Sequence, residues 1–266
     1  MKSGPARGGR RGQDARSESY LFLSTRPLHI LVFLAPLIAL YEAGSLRYLT
    51  DPQSGLVETI RAHRLMAGFF DAFGVGGFFL PGVMIVVVLL LWHVLVRDKW
   101  RIDVPVIPLM LAESAAWTIP LLILGQIVVR AMGHGAGMEE MAAAATGAAG
   151  GAPFAGLSAP ARLTIAIGAG LYEELLFRLV GIAAIHLIAV DVAGMKSNVG
   201  GWVAVAASAL AFALYHGPVG ASGVDWASLS FFFLAGMFFG GIYLWRGFGI
   251  VVAVHALYDI AVLTLL

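Results

Sequence analysis

Seven long apolar runs punctuate the chain, at residues 28–46, 78–96, 104–129, 163–190, 200–216, 227–245 and 248–265. Each is close to the roughly 20 residues that an α-helix needs to cross the hydrocarbon core of a bilayer. The pattern predicts an all-α fold, a polytopic transmembrane helical bundle of about 7–8 spans. Residues 1–26 are polar and rich in Gly and Arg, which predicts a disordered cytoplasmic tail. The first apolar run begins too deep in the chain for an ordinary secretory signal. Residues 47–77 have mixed polarity, as in "GLVETIRAHRLMAGFFDAFG", and suit an amphipathic helix lying at the interface. Residues 133–159 are dominated by Gly and Ala and read as a mobile loop. Three divisions follow: the tail at 1–26, N-terminal transmembrane helices with loops over 27–159, and a C-terminal group of helices over 160–266.

Composition agrees with the membrane reading. Hydrophobic residues make up 59% of the chain and charged residues 12%, against about 25% charge in a soluble domain. Mean hydropathy is +0.87. A net charge of +1 leaves no basic face for nucleic acid. Without cysteine there is no disulfide, thiolate metal site or cysteine nucleophile. The partners this allows are membrane lipid and a membrane-associated protein or peptide. With the N-terminus inside, eleven Lys and Arg fall on the inner side and five on the outer. That bias predicts a cytoplasmic N-terminus, and the expected location is multi-pass in the plasma (inner) membrane.

The stretch "GLYEELLFRLVG" breaks the apolar pattern by placing Glu173, Glu174 and Arg178 within one run. A charged side chain at the bilayer centre costs roughly 2.5–3.5 kcal/mol. Three unpaired charges would cost on the order of 8–10 kcal/mol. On a helix, Glu174 and Arg178 stand at i and i+4, with the acid on the favourable N-terminal side. Glu173 points about 100° away and is poorly placed to share the cation. Pairing therefore falls to Glu174 and leaves Glu173 free for chemistry.

Two further runs carry histidine: "FALYHGP" sets Phe212 and His216 on one face, and "HALYD" sets His255 and Asp259 on one face. Ionisable groups inside a membrane are functional by default. Glu173, His216, His255 and Asp259 together make a self-consistent hydrolytic set. Glu42 and Glu113 also lie in or near apolar runs. With no cation at i+4 and no histidine motif, they read as structural or cavity-lining. Gly236 and Gly240 in "GMFFGG" have the spacing of close helix packing.

These motifs carry a family resemblance. "EELLFR", "FALYH" and "HALYD" occur in that order and resemble the EExxxR, FxxxH and HxxxN/D pattern of the CPBP (CAAX protease and bacteriocin-processing) family. That family is also called the ABI or type II CAAX prenyl endopeptidase family of intramembrane proteases. The resemblance covers about residues 160–266 and makes them the CPBP/CAAX protease-like catalytic helices. It implies an intramembrane endopeptidase acting on membrane-associated protein or peptide substrates. Glu173 and His216 would activate a water, and His255 and Asp259 would complete the site around the scissile carbonyl. Glu174 and Arg178 would be the supporting ion pair.

Two mechanisms use the same residues. In a metalloprotease reading, Glu173, His216 and His255 hold Zn²⁺, whose bound water has a pKa of roughly 7. In a glutamate-dependent reading, Glu173 is the general base, His216 orients the water and His255 donates to the oxyanion. An ionised Asp259 would repel an oxyanion. It must therefore be protonated, hold His255 in one tautomer or help to bind the metal. His216 lies at the outer end of its run and His255 nearer the inner third of its own. A shared site then requires shorter, offset or re-entrant helices. The competing readings are a non-proteolytic membrane scaffold or bacteriocin self-immunity protein, and a proton-coupled transporter.

Overall fold

A backbone surrounded by lipid must satisfy its own amides, so each apolar run closes into a helix. The computed structural model describes residues 19–50, 57, 59–131, 157–217, 219–220 and 223–265. After a helical turn at Tyr20–Leu23 come α1 (Pro27–Tyr48), α2 (Arg61–Ala72), α3 (Leu80–Leu95) and α4 (Val106–Ala131). The second half holds α5 (Ala159–Val192), α6 (Ser197–Tyr215), α7 (Trp226–Arg246) and α8 (Phe248–Leu265). A two-residue hairpin, Val219–Gly220 against Gly223–Val224, lies between α6 and α7. Helices α1, α4, α5, α6 and α7 are long and apolar enough to span a membrane, and α3 and α8 are shorter apolar helices. The chain is an integral membrane helical bundle, and its apolar helices follow the seven runs of the sequence.

Local signals set the helix ends. Proline opens α1 at Pro27, where a missing N–H costs nothing. Asp225 caps α7 by accepting from the backbone N–H groups of Ala227 and Ser228 at 3.0 and 3.2 Å. Gly247, at φ +83°, then reverses the chain into α8 within a single residue. Helix α2 exposes the charged Arg61, Arg64 and Asp71. Ala62, His63 and Met66 are buried, while Leu65 and Phe69 are exposed.

Residues 19–26 of the expected tail are folded, because polar groups in them find partners in the bundle. The Tyr20 hydroxyl donates to Glu113, the Ser24 hydroxyl accepts from Arg246 at 2.9 Å, and Arg26 pairs with Asp98 at 2.6 Å. The preceding part of the tail, through residue 18, and residues 132–156 of the Gly/Ala-rich stretch lie outside the described residues.

Helix α8 runs through the middle of the bundle. Phe248, Ile250, Val251, Val252 and Val254 are all fully buried. Its closest neighbour is α5, and Gly170 makes that approach possible. A Cβ there would stand 2.8 Å from the backbone of Val252 and Ala256. On the other side, Gly236 and Gly240 of α7 pack on Ala209 and Val205 of α6, as close helix packing requires.

Candidate active site

The site is built from four helices, and the backbone changes character where α5 enters it. After Glu174 the helix widens into π-helical turns over Leu175–Ile182, a distortion common at functional sites. One carbonyl of that stretch, Phe177 O, accepts from the Ser208 hydroxyl of α6 at 2.7 Å. The widened turn sets Arg178 under Glu174, with Nη1 3.0 Å from Oε1. Both side chains are fully buried. The guanidinium also lies over the rings of Phe212 and Phe239, at 4.3 and 5.1 Å, and donates to Gly236 O at 3.5 Å. Its charge is thus offset by one carboxylate, two aromatic faces and a carbonyl.

Glu173 turns the other way. Its Oε2 stands 3.5 Å from His216 Nε2 and 4.0 Å from His255 Nε2. Neither of its oxygens accepts a hydrogen bond among the described residues. His216 is the C-cap of α6, and its Nδ1–H donates to the Phe212 carbonyl at 2.7 Å. A carbonyl can only accept, so Nδ1 carries the proton and Nε2 presents its lone pair when the ring is neutral. His255 Nδ1–H donates to Glu174 Oε1 at 2.7 Å, which turns its Nε2 toward Glu173 and Asp259. Asp259 Oδ2 is 3.5 Å from that Nε2.

Helix α7 explains how two histidines at different depths meet. The His216 ring stacks on Phe232, with centroids 4.1 Å apart and 11° between planes. The His255 ring stacks on Phe239 at 4.7 Å and 19°. Phe232 and Phe239 are seven residues apart on one face, about 10 Å along the helix. The imidazoles approach from the two ends of this interval, and the Glu173 carboxylate lies between them.

Three parts of this arrangement have no counterpart in the motif reading. Glu174 serves two groups, Arg178 and His255, whereas its spacing pointed to Arg178 alone. The tautomer of His255 is set by Glu174 and not by Asp259. Phe232 and Phe239 of α7 join Phe212 of the FxxxH motif as the aromatic surfaces on which the charged and imidazole groups rest. Their signal in the sequence was a Phe-rich span, which reads as ordinary core.

Glu42 and Glu113 lie apart from this cluster. Glu42 accepts from the Tyr172 hydroxyl at 2.9 Å. Glu113 takes a bidentate pair from Arg246 at 2.5 and 2.8 Å, with Trp117 Nε1 donating at 3.3 Å. These contacts tie α1 to α5 and α4 to α7.

As they stand, Glu173, His216 and His255 do not fit a zinc ion. Ligands of a tetrahedral zinc lie roughly 3.3–3.5 Å from one another, whereas Glu173 Oε2 and His255 Nε2 are 4.0 Å apart. Among the described residues no group of three or more His, Asp or Glu closes to a cation-holding set.

All six charged and imidazole groups of the cluster fall within one stretch of chain that a known family shares. Residues 155–261 match the family model described as type II CAAX prenyl endopeptidase Rce1-like. This segment is Rce1-like. The match falls on the stretch whose three motifs resemble the CPBP pattern, and the family it names is one of peptide hydrolases. No curated protein and no solved structure matches the chain.

Proposed function

We propose that this protein is an intramembrane endopeptidase of the CAAX type, with Glu173 as general base. The observation that carries the reading is the position of the Glu173 carboxylate. It is buried, accepts no hydrogen bond among the described residues, and faces Nε2 of two histidines at 3.5 and 4.0 Å. Each histidine is fixed through its Nδ1 by an acceptor, so both Nε2 atoms address one point. A water held by Glu173 and His216 Nε2 loses a proton to Glu173 as its oxygen attacks the scissile carbonyl. Glu173 then returns the proton to the departing amine. His255, protonated, supplies positive charge beside the tetrahedral intermediate, with Asp259 as its counterion. Glu174 and Arg178 are the supporting ion pair that holds His255 in register.

The substrate we propose is a lipid-anchored protein or peptide cut near its C-terminus. Its class follows the Rce1-like family, and an apolar cavity of about 390 Å³ supports it. Phe33 and Leu37 of α1, Ile107 and Leu111 of α4, and Ala253 and Leu257 of α8 line this cavity, which suits a hydrocarbon chain. The Lys/Arg bias supports a cytoplasmic N-terminus, and the location we propose is the plasma (inner) membrane.

The test is cleavage of a farnesylated CAAX-terminated peptide by the purified protein, with bound zinc measured and a chelator added in parallel. The proposal expects cleavage that resists the chelator and disappears in Glu173→Gln. Zinc-dependent cleavage would move Glu173 from base to ligand. Cleavage undiminished in Glu173→Gln would overturn the mechanism.

A further inference from the structure

We propose that Tyr215 donates the hydrogen bond that stabilises the oxyanion in this hydrolysis; the assignment rests on the endopeptidase reading. Tyr215 is the last residue of α6 and precedes His216. Its side chain is buried, and its hydroxyl makes no hydrogen bond among the described residues. A buried tyrosine hydroxyl ordinarily finds a partner. Here it stands beside the Glu173 carboxylate, with the backbone N–H of Ala62 in α2 also close to its oxygen. A backbone donor on one side leaves the hydroxyl's own proton for an acceptor in the site.

The ring is held firmly enough for that task. It meets the His216 ring edge-on at 5.0 Å and the Phe177 ring at 5.2 Å. The Arg61 guanidinium lies over it at 4.9 Å and donates to the Tyr215 backbone carbonyl at 2.7 Å. The amphipathic helix α2 therefore pins the residue from outside the bundle.

An inventory of donors shows why the site needs this one. His216 Nδ1–H is spent on the Phe212 carbonyl, and His255 Nδ1–H on Glu174. Arg178 is committed to Glu174 and Gly236 O. A proton on His255 Nε2 faces two carboxylates, Glu173 and Asp259, which compete for it. An asparagine at position 259 would bring an amide donor, but this chain has Asp259. The Tyr215 hydroxyl remains as a neutral donor, facing the Glu173 carboxylate at rest and released to the oxyanion once Glu173 has taken the proton of water.

The step balances without any co-reactant. Water gives its proton to Glu173 and its oxygen bonds to the carbonyl carbon, while the carbonyl π pair moves onto oxygen. Tyr215 donates a hydrogen bond to that oxygen and keeps its proton. The pair then returns, the C–N bond breaks, and the amine leaves with the proton held by Glu173. The products are a carboxylic acid terminus, which then ionises to solvent, and an amine.

The test compares the full-length wild type with Tyr215→Phe in lipid nanodiscs, on the farnesylated CAAX-terminated fluorogenic peptide. Removing one oxyanion donor costs about 10²–10³-fold in kcat. We expect a loss of that size with KM changed less than threefold and the thermal midpoint retained. A kcat near wild type, or a loss carried by KM, would overturn the assignment while leaving Glu173 in place. Wild-type protein that leaves the peptide intact would instead overturn the endopeptidase reading, a fully active Glu173→Gln would overturn its Glu173 mechanism, and this inference falls with either. Should Tyr215→Phe not fold, 3,5-difluorotyrosine at position 215 retains the ring and acidifies the phenol. The alkaline limb of kcat should then move to lower pH, and an unmoved limb would overturn the assignment.

Discussion

Adjacent glutamates with opposite environments predict opposite phenotypes. Glu174 Oε1 forms an ion pair with Arg178 Nη1 at 3.0 Å and accepts from His255 Nδ1–H at 2.7 Å, with all three side chains buried. Glu174→Gln strands a guanidinium without its counterion, and breaking a buried pair in this way costs about 3–5 kcal/mol. For a chain of this size that corresponds to a fall in thermal midpoint on the order of 10 °C. Glu173 accepts no hydrogen bond among the described residues, and it adds a third carboxylate to a cluster that already holds Glu174 and Asp259. Glu173→Gln therefore removes repulsion and a desolvated charge while keeping shape. Its midpoint should equal that of the wild type or exceed it by up to ~5 °C, as for relief of an unsatisfied buried group. Activity should separate the two in the reverse sense. Loss of the base should lower kcat by about 10²–10⁴-fold in Glu173→Gln. Adding Arg178→Met to Glu174→Gln should recover part of the lost stability, because both buried charges are then gone. Thermal unfolding by tryptophan fluorescence in detergent, with peptide cleavage on the same preparations, measures both quantities. If Glu173→Gln loses as much stability as Glu174→Gln, the carboxylate of Glu173 is structural and the division of roles fails.

Three further outcomes follow from the geometry. His216→Ala and His255→Ala should each inactivate, and the double variant should be little worse than either, since groups acting as one unit do not add; multiplicative losses in kcat would indicate separate sites. Asp259→Asn should keep measurable activity and Asp259→Ala lose most of it, because an amide can still face His255 Nε2; equal rates in the two variants would remove position 259 from the site. His63 of α2 is buried between Tyr41 and Tyr172 and bonded to Phe78 O, and burial, opposed by that bond, pushes its pKa down to about 4. The unfolded chain takes up that proton near pH 6.5 and the folded one only near 4, so stability should fall as pH drops from 6.5 toward 4. His63→Leu should flatten that part of a plot of thermal midpoint against pH, and an unchanged slope would refute the assignment.

How far the sequence carries depends on the range of the forces involved. The need to satisfy backbone amides in lipid is local, so hydropathy alone located the seven apolar helices to within a few residues. Helical periodicity is local too, and it set Glu174 beside Arg178 and turned Glu173 to another face. Partners far apart along the chain were beyond it. Glu113 reads as an acid without a cation until α7 delivers Arg246, 133 residues later. Glu174 reads as the mate of Arg178 until α8 packs against Gly170 and brings His255 to it, 81 residues on. Depth was equally hidden, since counting residues from a helix end ignores how helices slide past one another. Only the packed bundle sets the His216 and His255 rings on Phe232 and Phe239, two turns apart on α7, with Glu173 between them. Periodicity tells which way a side chain points, and close packing between distant segments decides what it meets there.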